Sequence, residues 1–335
     1  MGKHNKYDIN IFNLKDINVF YGIPNCYTSY SLGSASPNDT LNYTYRNHLD
    51  FLMVTDQNSF LTKSVSYDGH STTRWNSSYN TCRKFSRKKD NFIALQGFEA
   101  KTIPYGDINV INSNNFFTGD IKDINLLIFW MINNPDAFII IKRPIKSILS
   151  LPYNKVLNNM ITSVEVCSGA FGERYNRREK YYFKLLDIGW KLGAINSQST
   201  GNLDFGNYDN VTGVLLPKLS RSTLIECFRN RNTFSSESRS LSFYFFANDM
   251  LMGGIIPSNC DTIDFSILLE DKYYLIEKIE IITNGGEILH SVQDIKLNKI
   301  KYLYSHKLED NQSWFVIKVY QEGTRIAISS PIFID

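Results

Sequence analysis

The sequence contains few cysteines, and none of them forms a recognisable pair. The 335 residues include five cysteines, which are Cys26, Cys82, Cys167, Cys227 and Cys260. No two of them form a CxxC motif, and none lies near a histidine at zinc-finger spacing. This odd, dispersed set argues against a disulfide framework and favours free thiols, as expected in a reducing compartment.

Long apolar runs are also missing. No segment approaches the stretch of about 20 apolar residues that a transmembrane helix needs. The first residues contain no apolar run of signal-peptide length, and Lys6 stands where a myristoylation signal requires Ser or Thr. We therefore expect a cytoplasmic protein that has no membrane partner.

Neither sign of charge dominates the composition. Charged residues make up 21% of the chain, and the formal net charge is +3, so a nucleic-acid partner is not expected. The sharpest basic run, RKFSRKK at residues 83–89, is interpreted as a solvated helix face. The sequence also lacks a Ser/His/Asp order, a nucleophile elbow, a Walker loop and a dinucleotide fingerprint.

Apolar residues are abundant, and their spacing predicts an α/β protein. Hydrophobic residues account for 43% of the chain, enough for a large core. Short apolar runs at residues 51–54, 137–141 and 164–166 predict buried strands, and helical periodicity appears at residues 121–134 and 175–186. Residues 92–95 and 108–111 predict two more strands, with Gly97-Phe98-Glu99 interpreted as a turn after the first.

The composition changes after about residue 240. Strand-length runs then recur between turn signals such as Asn284-Gly285-Gly286. These runs lie at residues 241–246, 263–269, 278–282, 314–319 and 326–329. Their spacing predicts an antiparallel β-sandwich.

The stretch from Tyr21 to Asn58 resembles the opening of a known enzyme family. It contains Thr28-Ser29-Tyr30-Ser31 with Gly33, then Leu49-Asp50-Phe51, then Thr55-Asp56. These letters are similar to those of the polymerase-and-histidinol-phosphatase (PHP) family of metal-dependent phosphoesterases. The later Gly97-Phe98-Glu99 resembles that family's second metal motif.

The carboxyl-terminal part of the resemblance points to one branch of that family. Residues 187–202 and the helix-like segment at residues 219–234 are similar to the carbaryl-hydrolase-like branch. The resemblance covers residues 19–333. It implies a distorted PHP-type α/β barrel with a linking helix over residues 1–234, followed by a small C-terminal antiparallel β-sandwich over residues 235–335.

The family's metal ligands are histidines and carboxylates, and most of them are replaced in this chain. The positions that depart from the family pattern are Asn25, Tyr27, Leu32, Gln57, Asp107, Arg143, Ser199 and Gly201. Glu99 is a retained family ligand, and Asp56 is a retained motif letter. Amide oxygens are poor substitutes for imidazole on transition metals, and an arginine adds a permanent cation. We therefore predict a degenerate site with no bound metal, no cofactor and no catalytic residue.

Arg143 is the residue that we expect to replace the lost metal charge. Buried carboxylates without a cation would protonate or destabilise the fold. We predict an ion pair between Arg143 and Glu99, with Asp107 or Asp56 joining it. The alternative is that Arg143 points to solvent and pairs with nothing.

Three functions remain open at this point. The first is a pseudoenzyme with a structural or protein-interaction role, which binds a protein partner or self-associates; the many aromatic residues suit an interface. The second is a metal-dependent phosphoesterase with a reduced, atypical site built from Asp56, Glu99 and Asp107. The third is a module that binds an anionic small molecule through Lys142 and Arg143.

Overall fold

The computed structural model describes residues 16–172, 174–198 and 201–335 of the chain. The α-helices are α1 (Pro37–Arg46), α2 (Arg74–Lys88), α3 (Ile124–Ile132), α4 (Lys155–Met160), α5 (Glu179–Ile188) and α6 (Arg221–Arg229). The strands of the first two thirds are β1 (Asn18–Cys26), β2 (Phe51–Val54), β3 (Ser64–Tyr67), β4 (His70–Thr73), β5 (Ile93–Thr102), β6 (Gly106–Ile111), β7 (Phe138–Ile141), β8 (Ile161–Ala170), β9 (Arg174–Arg177), β10 (Gly193–Ser197), β11 (Val211–Leu216) and β12 (Thr233–Ser236). The remaining strands are β13 (Leu241–Ala247), β14 (Met250–Leu251), β15 (Ile255–Ile256), β16 (Thr262–Asp271), β17 (Ile276–Thr283), β18 (Glu287–Val292), β19 (Lys299–Lys307), β20 (Trp314–Gln321), β21 (Arg325–Ser329) and β22 (Ile332–Ile334).

A large mixed sheet forms the body of the molecule. Its first part has the strand order β10-β8-β7-β6-β5-β2-β1-β11-β12. The strands β1, β2 and β5 run parallel to one another, as do β7, β8 and β10, while β6 is antiparallel to both of its neighbours. The carboxyl ends of these six parallel strands and the amino end of β6 therefore meet at one edge of the sheet, which positions the candidate site.

The free edge of β10 is covered by side chains from the other end of this strand order. The Thr212 hydroxyl donates to the Asn196 carbonyl (2.6 Å) and accepts from the Asn196 backbone N–H (2.9 Å). The Thr233 hydroxyl donates to the Ala194 carbonyl (3.0 Å). These threonines satisfy backbone groups that no neighbouring strand pairs. The sheet is therefore curled, because β11 and β12 lie beside β10.

The curled sheet continues into the carboxyl-terminal third through β12. This strand pairs with β11 on one side and with β21 on the other, and the order then continues β21-β20-β17-β18. A second sheet has the order β14-β13-β16-β19. Apolar side chains from both sheets, such as Phe243, Phe265, Ile281 and Phe315, share one buried cluster. The two sheets therefore pack face to face.

Most of the predicted elements are present. The apolar run at residues 51–54 is β2, and each of the five carboxyl-terminal runs lies within a strand. The helical periodicity at residues 121–134 corresponds to α3, where Leu127 and Met131 are buried on one face. The fold is mixed α/β, as expected. No helix within the described ranges is long and apolar enough to cross a membrane.

Two local predictions were wrong. Gly97-Phe98-Glu99 is not a turn but lies inside β5. Gly97 allows this strand to approach β6 closely, since a Cβ there would lie 2.2 Å from the Val110 carbonyl oxygen. The helix predicted from residue 175 begins only at Glu179, because residues 174–177 fold back as β9 against β8.

Candidate active site

A cluster of buried polar side chains lies near the edge where the parallel strands end. We call it the strand-end cluster, and it comprises Asn25, Tyr27, Gln57, Glu99, Lys142, Glu165 and Ser197. Strands β1, β5, β8 and β10 carry most of these residues. Tyr27 and Lys142 directly follow β1 and β7, and Gln57 lies shortly after β2. The cluster has two parts, one around Glu99 and one around Glu165.

The Glu99 carboxylate is surrounded by donors from the protein. The Lys142 ammonium forms a salt bridge with Glu99 Oε2, and only 2% of Lys142 is exposed. The Tyr27 hydroxyl donates to the same oxygen (2.6 Å), and the Gln57 amide donates to Glu99 Oε1 (3.2 Å). The protein therefore engages both carboxylate oxygens itself.

Electrostatics around Glu99 keep this carboxylate ionised. Burial alone would raise the pKa of Glu99, but the Lys142 ammonium and the donors around it outweigh burial and lower that pKa below its usual range. The ammonium also donates to the Tyr27 oxygen (2.6 Å) and lies 4.2 Å from the centre of that ring. Burial and the Glu99 charge raise the pKa of Tyr27, so the phenol stays protonated.

The Glu165 carboxylate is buried, and among the residues that the structure describes no side-chain cation forms a salt bridge with it. Its Oε1 accepts from the Asn25 amide and from the Ser197 hydroxyl (2.7 Å). Its Oε2 accepts from the backbone N–H of Arg143 (2.9 Å). Burial raises the pKa of Glu165, because these donors and the charge of Lys142 compensate only in part.

The ion pair predicted between Arg143 and Glu99 is not formed, because Lys142 holds Glu99. Arg143 instead places Nη2 at 3.1 Å from Asp107 Oδ2, with 41% and 31% of the two side chains exposed. Lys142 directly follows β7 and points inward, whereas the positive φ of Arg143 (41°) redirects the chain. The backbone of Arg143 therefore faces Glu165, while its guanidinium pairs with Asp107 at the rim of the cluster and not, as predicted, with Glu99.

Asp56 holds a loop rather than a neighbouring charge. Its buried carboxylate accepts from the Thr28 backbone N–H (2.7 Å), the Thr28 hydroxyl (2.6 Å) and the Ser31 hydroxyl (2.5 Å). Burial raises the pKa of Asp56. The residue therefore fixes the turn that follows β1.

Leu32 and Gly201, two further predicted positions, have no polar side chain. Leu32 is exposed, and Gly201 packs against it, since a Cβ on Gly201 would lie 2.9 Å from the Leu32 carbonyl oxygen. The Gly201 carbonyl accepts from the Ser34 backbone N–H (2.8 Å). Ser199 lies outside the described residues.

The side chains present do not fit a multi-cation centre. Within residues 16–172, 174–198 and 201–335, no group of three or more His, Cys, Asp or Glu side chains is arranged to hold a metal ion. Asp56, Glu99 and Asp107, the three carboxylates of the reduced site, bind hydroxyls, Lys142 and Arg143 respectively. The nearby Cys26 is buried, which raises the pKa of its thiol and makes it a poor ligand and nucleophile.

Two functional residues were missed by the sequence analysis. Glu165 carried a usable signal, because it is a charged residue between Val164 and Val166 in an apolar strand. Lys142 was considered only as an anion-binding residue. Its role as the internal cation had no clear signal, since Arg143 beside it carries the same charge.

Comparison with solved structures gives a fold-level likeness. The chain is similar to a two-domain protein from Bacteroides vulgatus that contains a predicted PHP-like metal-dependent phosphoesterase, with 14% identity, a TM-score of 0.55 and 91% of each chain covered. It is also similar to PsfC from Pseudomonas syringae, with 11% identity, a TM-score of 0.40, and coverage of 65% of this chain and 90% of that one. No family model and no curated protein matches the sequence. The likeness to the first protein confirms the PHP-like character of the fold.

Proposed function

We propose that this chain is a catalytically inactive relative of the PHP phosphoesterases, from the carbaryl-hydrolase-like branch, with a structural or protein-interaction role. The observation that carries the proposal is the buried contact between the Lys142 ammonium and the Glu99 carboxylate. The Lys142 ammonium, a monovalent cation that belongs to the protein, binds the Glu99 carboxylate, which would otherwise bridge divalent metals. The Tyr27 phenol and the Gln57 amide complete the coordination of that carboxylate.

The chemistry of the surrounding donors supports the same conclusion. Hydrolysis of a phosphoester in this family depends on divalent cations that polarise the ester and activate water. Here Asn25 donates to Glu165 and the Asp107 carboxylate pairs with Arg143. Since the acidic side chains are already engaged within the protein, a metal ion would have to displace ammonium, guanidinium or hydroxyl partners.

We also propose that residues 1–234 form a distorted PHP-type barrel and that residues 235–335 form a small antiparallel β-sandwich. The curled sheet and the two face-to-face sheets support these two units. The boundary falls inside β12, which pairs with a strand of each unit. We therefore expect the two units to unfold together, because separating them would break a continuous sheet.

Helix α3 supports the protein-interaction part of the proposal. Its solvent side carries Leu126, Phe129 and Ile132, and 68% of Phe129 is exposed. An apolar helix face on the surface is typical of a contact surface. We propose that this face contacts a protein partner or a second copy of the chain, and sedimentation of the wild type and of Phe129→Glu would show whether self-association depends on it.

A phosphodiesterase assay tests the absence of catalysis. We expect the purified chain, supplied in turn with manganese, zinc and ferrous iron, to hydrolyse a generic aryl phosphodiester no faster than a Glu99→Gln variant does. Metal-dependent hydrolysis that Glu99→Gln abolishes would contradict the proposal and support the reduced-site phosphoesterase. The matched control is Asp335→Asn, an exposed terminal residue.

Binding of an anionic small molecule at the rim is a second candidate. Lys142 is committed to Glu99, but Arg143 lines a cleft of about 570 Å³ together with Lys101 and Arg178. Asp107 is the acidic side chain of this lining. A rise in melting temperature with citrate, lost in Arg143→Gln, would support this candidate.

A further inference from the structure

A second basic cavity lies at the opposite edge of the curled sheet from the strand-end cluster. It has a volume of about 850 Å³ and lies between α2, α6 and the segment after β6. Because β6 is antiparallel to its neighbours, its carboxyl end is on the far side of the sheet from Glu99. The lining residues that matter here are Arg83, Arg221, Arg229, Asn112, Ser113 and Ser222.

The three guanidinium groups of this cavity are bonded to uncharged oxygens. The bonds run from Arg83 Nη1 to Tyr79 Oη (2.8 Å), from Arg221 Nη2 to Asn112 Oδ1 (2.5 Å) and from Arg229 Nη2 to the Pro135 carbonyl (2.5 Å). Each bond leaves further N–H donors on the same guanidinium.

The carboxylates of the cavity do not neutralise these arginines. Asp136 and Glu226 also line it, which leaves an excess of one positive charge. Among the salt bridges of the described residues, none joins either carboxylate to Arg83, Arg221 or Arg229. The positive charge is therefore available to a ligand.

Arg221 is a cation in an unfavourable electrostatic environment. Burial lowers the pKa of the Arg221 guanidinium, and the nearby charge of Arg83 acts in the same direction. Arg221 is also the first residue of α6, where the helix dipole adds partial positive charge. A bound anion would offset the burial of the Arg221 charge and its repulsion by Arg83 and by the helix dipole.

A buried hydroxyl gives an independent indication of a polar ligand. Ser113 lines the same cavity and is 4% exposed, and its hydroxyl has no hydrogen-bond partner within the described part of the chain. Buried hydroxyls are normally satisfied. A ligand oxygen in the cavity would supply the missing partner.

We propose that this cavity binds a phosphate-bearing small molecule. Guanidinium groups match phosphate oxygens with paired hydrogen bonds, and Arg83 and Arg221 line the same cavity. The volume is in the range of small-molecule sites, which is about 300–1,000 Å³. The site is separate from the strand-end cluster, so it does not depend on whether that cluster is inactive.

Calorimetric titration with inorganic pyrophosphate tests the proposal. The titration is run at constant ionic strength balanced with sodium chloride, on the wild type and on Arg221→Gln, Arg83→Gln and Arg143→Gln. We expect saturable binding to the wild type. In Arg221→Gln and in Arg83→Gln the dissociation constant should be at least about 10-fold higher, since each variant loses charged hydrogen bonds. Arg143→Gln reports separately on the rim cleft, and the matched control Lys299→Gln, at an exposed lysine of β19, is expected to bind as the wild type does.

Several results would overturn the proposal. Heat that does not saturate, or affinity that is unchanged in both Arg83→Gln and Arg221→Gln, would exclude the cavity as the site. Loss of binding in Arg143→Gln with no change in the other two would assign the anion to the rim cleft. Should Arg221→Gln fail to fold, the exposed Arg83→Gln decides the question alone.

Discussion

Glu99 and Glu165 are both buried carboxylates at the same edge of the sheet, yet the protein satisfies them differently. Glu99 has the Lys142 ammonium as a direct partner, and its pKa lies below the usual range. Glu165 has an amide, a hydroxyl and a backbone N–H, and its pKa lies above the usual range. Within the described part of the chain, the protein therefore provides a directly bonded cation for the Glu99 part of the cluster and not for the Glu165 part. The part around Glu165 depends on neutral donors, which offset the effect of burial on the carboxylate pKa less completely.

The largest effect is expected from removing the cation on the Glu99 side. Lys142→Ala should lower the free energy of unfolding by about 3–5 kcal/mol, because it leaves the Glu99 charge buried without its partner. Urea unfolding monitored by tryptophan fluorescence measures this. The control is Lys101→Ala, an exposed lysine near the end of β5. If Lys142→Ala were as stable as the wild type, the internal-cation account of Glu99 would be wrong.

A smaller loss is expected on the Glu165 side. Glu165→Gln removes the charge, but its NH₂ group then faces donors that were hydrogen-bonded to the carboxylate. The substitution should therefore lower the free energy of unfolding by about 1–3 kcal/mol. Equilibrium unfolding in urea at neutral pH gives the value. Asp107→Asn at the half-exposed rim serves as the matched control and should cost less than about 1 kcal/mol. A Glu165→Gln variant more stable than the wild type would mean that its donors have other partners.

The pH dependence of stability should separate the two carboxylates. The folded-state pKa of Glu165 is raised above the ordinary value of 4.5, so the folded protein binds more protons and loses stability as the pH rises above that value. Glu165→Gln lacks this loss, and its deficit in stability relative to the wild type should therefore shrink as the pH rises above 4.5. Glu99 has a lowered pKa, and its contribution is lost only as the pH falls below 4.5. A deficit that grows with pH would contradict the assigned direction for Glu165.

The smallest effect is expected at the rim. Arg143→Ala removes a half-exposed ion pair with Asp107, and should cost less than about 1 kcal/mol. The same urea titration applies, with Lys142→Ala as the comparison. A cost for Arg143→Ala as large as that for Lys142→Ala would mean that both cations hold the interior.

The sequence analysis predicted the strands better than it predicted the partners of the charged residues. Apolar runs predicted the positions of β2 and the carboxyl-terminal strands, because a buried strand requires a local run of apolar residues. The choice between Lys142 and Arg143 depended on a backbone φ of 41° at Arg143, which no local pattern specifies. The side-chain partners of Glu165 come from β1 and β10, so they depend on how distant strands are brought together.

The turn predicted at Gly97-Phe98-Glu99 shows a related limit. Glycine is common in turns, but Gly97 is needed inside β5 because the neighbouring strand comes so close. That requirement is visible only once β6 is paired with β5. Glu99 was predicted to pair with Arg143, and the structure pairs it with Lys142 instead.

The metal content of the purified protein tests the central claim most directly. The chain should be produced with manganese, zinc and iron in the medium, purified without chelator, and analysed by inductively coupled plasma mass spectrometry. The internal Lys142–Glu99 pair predicts that all three metals are far below one equivalent per chain. Near-stoichiometric metal that is lost in Glu99→Gln would contradict the claim, because it would show that Glu99 binds a divalent ion in preference to Lys142.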